Sequence, residues 1–238
     1  MIPAHNEEEN LPTLLEACRT ALSAYPGDHE IVLIDDGSTD GTRSLLRELS
    51  AGEPMLRPLY HPPGQNIGCH PSELAGFRAA RGDLMLFLPA DLQIHPSVLP
   101  AFAEAAKSAD VVASHRTHRA DASWRRWLSA ANNRVERLLM GVDVHDAHSS
   151  MALTRRAVDA LVPSVVSSSA LIPAELLVRA SRRGLAIAEV EIEHHRRMAG
   201  RQTGAKLSEI LRVQLDLLRL RRRLAREEPA KKTIPLSG

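Results

Sequence analysis

The stretch EIVLIDDGSTDGT, residues Glu30–Thr42, decides the fold. Glu30-Ile31-Val32-Leu33-Ile34 is a short, continuous apolar run rich in β-branched residues, the pattern of a strand buried on both faces. It stops at two carboxylates, Asp35 and Asp36, and passes into a polar loop that carries Gly37 and Gly41. An amphipathic helix then runs from Thr42 to Ser50. A doubly buried strand that feeds a polar turn and a helix is the unit of a parallel sheet covered by helices on both sides.

The flanking sequence repeats this unit. Met1-Ile2-Pro3-Ala4 reads as the last residues of a strand with little of its beginning, so apolar residues added ahead of Met1 are expected to raise stability. Glu7, Glu8 and Glu9 open a helix whose acidic first turn suits the macrodipole, with Leu11, Leu14, Leu15, Cys18 and Leu22 at helical spacing. Downstream come a strand over Met55–Tyr60, a helix over Ser72–Ala80 and a strand over Asp83–Leu88. Val111–Ala113, Met151–Leu153 and Ala186–Ile192 are further strands. Trp124–Met140, Arg155–Leu161, Pro173–Arg183 and Ala205–Arg226 are predicted helices. Residues 1–226 thus read as one α/β domain with a mostly parallel, Rossmann-like sheet, and residues 227–238 as a frayed tail. Ligands of such sheets bind beyond the carboxyl ends of the strands. Three polar clusters fall there: Pro3–Glu7, Asp35–Ser38 and Ala90–Gln93.

Composition narrows the function classes. The 238 residues are 44% hydrophobic and 25% charged, ordinary for a globular protein, with a net charge of only +1. Aromatics make up 3%, too few to supply stacking platforms, and no helix-turn-helix or zinc pattern is present, which argues against a nucleic-acid partner. No apolar run reaches the 18 or so residues of a membrane span. Cys18 and Cys69 lack metal-ligand spacing and no signal peptide is visible, so both read as reduced thiols of a cytoplasmic protein. The scattered histidines, among them His61, His70, His95, His145 and His148, fit no zinc template and read as surface or loop residues.

IPAHNEEENL, EIVLIDDGSTDGT, ARGDLMLFLPADLQIHP and HRRMAG, in this order and spacing, resemble the landmarks of family 2 glycosyltransferases of the GT-A fold, in particular the dolichol-phosphate mannosyltransferase-like, polyprenyl-phosphate sugar transferases. The resemblance implies a nucleotide-diphosphate sugar donor, with Pro3, Ala4, Glu7, Ile34 and Asp36 lining the nucleoside pocket and Ala90 against the nucleotide. His5 stands where the family has Tyr. Asp91 and Gln93 would hold Mg²⁺ or Mn²⁺: both are hard oxygen donors and, two apart on an extended segment, they point to one side. Pro89 replaces the first Asp of the family's Asp-x-Asp and contributes no ligand. Taken alone, Asp35-Asp36-Gly37-Ser38 is equally an Asx-type turn with a helix cap, and the lesser alternative for Asp91 is a cap for a helix starting near Pro96.

Cations complete the expected clamp on the leaving diphosphate. Arg116 matches the family's Gly-x-Arg position and Arg197 its Arg-x-x-Gly, with Lys206 as the lysine that follows; Arg201 begins a rival Arg-x-x-Gly. The resemblance makes Asp91, Arg116 and Arg197 the catalytic set of an inverting transferase. A polyprenyl phosphate acceptor, already anionic, needs no general base. A soluble transferase to a hydroxyl acceptor needs one, for which Glu175 and Asp146 are the candidates. A non-catalytic sugar-nucleotide binder is the remaining alternative. The last predicted helix carries an apolar stripe from Leu207 to Leu220 together with Arg212, Arg219, Arg221, Arg222, Arg223 and Arg226. Such a helix lies on an anionic membrane face, packs on its own sheet, or meets a second copy in a homo-oligomer.

Overall fold

The computed structural model describes residues 1–119, 144–146, 149–168, 170–195 and 207–227, with the backbone alone for 118–119 and 207–215. Among the described residues, seven strands run β1 Ile2–Ala4, β2 Ile31–Asp35, β3 Leu56–Tyr60, β4 Leu84–Leu86, β5 Val111–Arg119, β6 Met151–Thr154 and β7 Ile187–His194. The helices are α1 Leu11–Ser23, α2 Thr42–Gly52, α3 Cys69–Ala79, α4 Leu99–Ala105, α5 Arg155–Leu161, α6 Ile172–Arg182 and α7 Leu207–Arg226. The predicted helix over Trp124–Met140 lies outside the described residues.

β1, β2 and β3 pair in parallel, with Ala4 opposite Asp35 and Asp35 opposite Tyr60. A second ladder runs β4-β6-β5-β7. The two are joined through Met1, whose amino group donates to the Leu86 carbonyl at 2.7 Å and whose carbonyl accepts from the Leu88 amide at 3.0 Å. This is parallel pairing of β1 with β4, and the continuous order is β3-β2-β1-β4-β6-β5-β7. Only β6 runs against the rest, antiparallel to both β4 and β5. The carboxyl ends of β1, β2, β4, β5 and β7 therefore share one rim, as the mostly parallel reading requires.

Burial follows the sequence pattern. All five residues of β2 are buried, the consequence of helices on both faces. On one side Val32 and Ile34 pack with Leu74 and Phe77 of α3 and with Leu176 and Leu177 of α6. On the other Ile31 and Leu33 pack with Leu11, Leu14 and Leu15 of α1 and with Phe102 of α4. Gly76 lets α3 approach the sheet, since a Cβ there would lie 3.1 Å from Ile34 Cδ1. At the opposite, amino end of the strands, Ile31 and Val32 face Leu84 and Met85 across a cavity of about 390 Å³ that is closed on one side by Met1. Burial drives the Met1 ammonium down to about 6. No described helix is long and apolar enough to cross a membrane.

Candidate functional site

The first two strand-end loops are sewn together. Asn6 takes a left-handed backbone, φ 57°, which Asn tolerates because its short side chain bonds locally. Its Oδ1 accepts from the Thr39 amide at 2.8 Å, and its own amide donates to Ser38 Oγ at 3.1 Å. The Glu7 amide donates to Thr42 Oγ1 at 2.8 Å, and the Glu7 carboxylate accepts from Asn10 Nδ2 at 2.5 Å. Glu8 reaches the Gly41 amide at 2.6 Å. The His5 ring bonds the Asp36 carbonyl at 2.9 Å, so the imidazole in the tyrosine position has a defined seat. Pro3 and Ala4 are buried beneath these loops, and Ile34 is fully buried against α3, as part of the floor.

Asp35 and Asp36 divide the work. Asp35 is wholly buried and accepts from the Ser38 amide at 2.9 Å and from Arg43 Nε at 2.5 Å. Burial pushes its carboxyl up, but the Ser38 hydrogen bonds and the Arg43 guanidinium outweigh it and hold the group below the usual range. The Asp36 carboxylate accepts from the amides of Ile67 and Gly68 at 3.0 and 2.9 Å and meets His61 Nδ1 at 2.9 Å. It thereby ties the loop after β3 to the loop after β2. Gly37 permits this closeness: its φ is +70°, and a Cβ would fall 2.7 Å from the Gln65 backbone. His61, read from sequence as a loop histidine, belongs to the site. The signal that could have found it is its position immediately after β3, on the same rim.

Asp91 and Gln93 do not lie on the extended segment expected from sequence. Pro89 ends the run of β4, and residues 90–94 form a turn in which Leu92 adopts a left-handed φ of 58° and Asp91 Oδ1 accepts from the Gln93 amide at 3.1 Å. Side-chain alternation survives: Leu92 and Ile94 are buried while Asp91 and Gln93 stay half-exposed on the open side. Ala90 is buried in the same apolar cluster as Ala4. The Gln93 carbonyl accepts from the His195 amide at 2.8 Å, which brings the end of β7 against this turn.

Arg116 leaves β5 at the same rim and its Nε donates to the buried Asp146 carboxylate at 2.7 Å. Arg197, Arg201 and Lys206 lie outside the described residues. Glu175, a candidate base for a hydroxyl acceptor, does not face an open side. It is fully buried in α6, where it accepts from the amides of Val166 and Ser167 at 3.1 and 2.8 Å and from Arg179 Nε at 2.7 Å. A carboxylate so committed has no lone pair directed at a substrate hydroxyl.

Cys69, at the start of α3, marks where the loops meet. Cys69 keeps exposed surface, but crowding around its thiol first, and then the carboxylates of Glu73, Asp91, Asp36 and Glu7, push it above the ordinary cysteine range. Those charges come from α3 and from the loops after β4, β2 and β1, which the parallel pairing of these strands brings to one rim. Among the described residues no three His, Cys, Asp or Glu side chains form a protein-only metal cage. The donor set suits an ion completed from outside the chain: a carboxylate and a neutral amide oxygen, as a magnesium-like cation uses with phosphates and water.

A sheet with one reversed strand, and carboxylates from three strand-end loops on its rim, make this an α/β protein of the GT-A fold. Solved structures with this fold include glucosyl-3-phosphoglycerate synthase from Mycobacterium tuberculosis with Mn²⁺, uridine-diphosphate-glucose and phosphoglyceric acid. It superposes with a TM-score of 0.67 at 20% identity, over 92% of this chain and 78% of that one. The same enzyme with Mg²⁺ and uridine-diphosphate gives 0.65 at 19% identity, over 92% and 77%. The chain belongs to glycosyl transferase family 2, whose profile matches residues 1–161. Among curated relatives, the undecaprenyl-phosphate 4-deoxy-4-formamido-L-arabinose transferase of Pseudomonas aeruginosa is 33% identical over 221 residues, 92% of this chain and 63% of that protein. The protein of that name from Aeromonas hydrophila is also 33% identical over 221 residues, 92% of this chain and 65% of its own length. The chain thus spans less than two thirds of the length of these relatives.

Proposed function

We propose that the protein is an inverting glycosyltransferase that moves a sugar from a nucleotide-diphosphate sugar to a polyprenyl phosphate at a membrane face. The observation that carries this reading is the division of carboxylates. Asp91 stays half-exposed at the rim, and its charge bears on Cys69 together with those of Asp36 and Glu7, whereas the two candidate general bases, Glu175 and Asp146, are buried in ion pairs with Arg179 and Arg116. An anionic acceptor needs no proton removed, and family membership and the names of the relatives support the same class of reaction.

In this reading Asp36, with Pro3, Ala4 and Glu7, receives the nucleoside, and Ala90 flanks the nucleotide. Asp91 and Gln93 would hold Mg²⁺ or Mn²⁺, which when bound neutralises charge on the donor diphosphate. An acceptor phosphate oxygen attacks the anomeric carbon from the face opposite the diphosphate. The bond to the diphosphate oxygen breaks as the new one forms, and the configuration inverts. Arg116 and Arg197 offset the charge that accumulates on the departing diphosphate, with Lys206 beside them. Positioning and charge stabilisation carry most of the acceleration.

The test pairs a binding and a turnover measurement. A thermal-shift screen of nucleotide sugars with and without Mn²⁺ identifies the donor, because a ligand specific to the folded state raises Tm by mass action. Turnover is then compared on undecaprenyl phosphate and on sugar hydroxyl acceptors. Stabilisation by a donor with transfer only to hydroxyls removes the lipid-phosphate acceptor, and stabilisation without any transfer leaves a binding protein.

A further inference from the structure

The carboxyl half of α7 forms a second polar feature, built from elements that the donor rim does not use. Leu217, Leu220 and Leu224 are buried, and the last two pack on Val178 of α6. Arg182 donates to the Leu224 carbonyl, and Arg179 binds Glu227 at 2.8 and 3.2 Å, so the helix is fastened along this half. Beside it the segment 166–168 is held by Glu175 through two backbone amides. Between the two lies a cavity of about 370 Å³ whose polar lining is Ser167, Ser168, Arg219, Arg222, Arg223 and Arg226, with one carboxylate, Asp216, against these four arginines.

These arginines sit at i, i+3, i+4 and i+7, one face of a helix, where like charges destabilise one another. Among the described residues only Arg219 has a carboxylate partner, Asp216 at 3.0 Å; Arg222, Arg223 and Arg226 have none. Two of the four exposed large hydrophobic residues among the described ones are close by: Val166, 43% exposed, lines the cleft, and Leu218, 47% exposed, stands one turn before Arg222 on α7. A guanidinium cluster with serine hydroxyls matches a phosphate, which arginine binds in a bidentate fork. Apolar side chains at the mouth match the zone just beneath a headgroup layer.

We propose that this cleft is a membrane-contact site that takes the phosphate of an anionic phospholipid headgroup between α7 and residues 166–168, with Val166 and Leu218 entering the acyl boundary. A basic cluster on an amphipathic helix is the recognised form of such a surface. The inference goes beyond the transfer reaction and does not need it. A chain that binds anionic bilayers but glycosylates only soluble acceptors keeps this site and loses the lipid-phosphate reading.

The test is flotation of the 238-residue protein with vesicles, without donor. Vesicles of phosphatidylcholine carrying roughly one third phosphatidylglycerol are expected to bind it in a salt-sensitive way, and pure phosphatidylcholine is not. Replacing Arg219, Arg222 and Arg223 together by Gln is expected to weaken binding roughly 100-fold, at about fivefold for each cation near the surface. Leu218→Asp, with the arginines intact, is expected to weaken it several-fold and reports insertion separately from charge. Arg78→Gln with Arg81→Gln, exposed cations at the end of α3, is expected to leave it unchanged. Equal loss in that control, or no binding to anionic vesicles, overturns the site. Thermal stabilisation by inorganic phosphate with no vesicle binding assigns it to a free phosphate and overturns the membrane role. Circular dichroism of each variant confirms folding, and because every replaced side chain is exposed the fold is expected to persist.

Discussion

The His195 amide donates to the Gln93 carbonyl at 2.8 Å, which fastens the end of β7 to the acidic turn that follows β4. Strands from opposite sides of β6 and β5 thus meet at Asp91, and its replacement is the first measurement to make. Asp91→Asn keeps the size and the acceptor oxygen but removes the charge. It is expected to lower kcat/KM by about 100- to 1,000-fold and to abolish the Mn²⁺ dependence of donor binding. A variant that retains Mn²⁺-dependent donor stabilisation removes Asp91 from the cation site.

Glu175→Gln separates base from brace. Arg179 loses one of its two carboxylate partners and keeps Glu227, so unfolding stability is expected to fall by about 1–3 kcal/mol in urea titrations. Turnover per folded molecule is expected to change less than twofold. A loss of 100-fold or more in kcat at unchanged stability would restore Glu175 as a general base.

Gly37→Ala places a Cβ against the Gln65 backbone at a residue whose φ is +70°. Both effects act in one direction, and a loss of about 2–3 kcal/mol is expected. Because Gly37 adjoins Asp36, donor affinity should drop as well, measured by calorimetry below the new Tm. Gln65→Gly in the same chain does not relieve it, since the clash is with backbone atoms.

Asp35 supplies a pH test. Its folded pKa lies below the unfolded value, so its contribution is present above the ordinary carboxylate range near ~3.9 and is lost as pH falls through the depressed value. Stability of the parent chain should therefore decline toward acid more steeply than that of Asp35→Asn. Urea midpoints from pH 7 to pH 3 show it; parallel curves for the two proteins contradict the assignment.

The cavity between Ile31–Val32 and Leu84–Met85 has two strand walls and room for apolar chain between them. Adding a short apolar β-branched extension before Met1 should raise Tm by several degrees, whereas a Gly-Ser extension of equal length should not. The gain should be largest near pH 6. The buried Met1 ammonium, lowered from 8.0 to about 6, opposes folding below that value and ceases to do so as pH rises past 8. Extension converts it to an amide and removes the dependence.

Most of the sheet and the common rim were legible because buried parallel strands are written as unbroken apolar runs, as in Ile31–Ile34. The placement of Asp36 and Asp91 at strand ends was legible for the same reason: each follows such a run. The conformation of the Asp91 turn was not legible, because Leu92 carries no sign of a left-handed backbone; packing of Leu92 and Ile94 into the core imposes it. Glu175 was misplaced because an acidic residue in a helix looks the same whether it faces solvent or an arginine one turn on. His61 was overlooked because its partner is 25 residues away in sequence and adjacent only across two loops.

The single reversed strand has an effect on how this chain can vary. Because β6 runs against its neighbours, the chain that departs after β5 and the chain that re-enters before β6 do so at the same edge, and the Arg116–Asp146 pair clasps both ends. With both ends fixed in this way, the length of the connection between them can change at little cost: doubling a connection costs only about 0.6 kcal/mol in closure entropy and need not shift any strand.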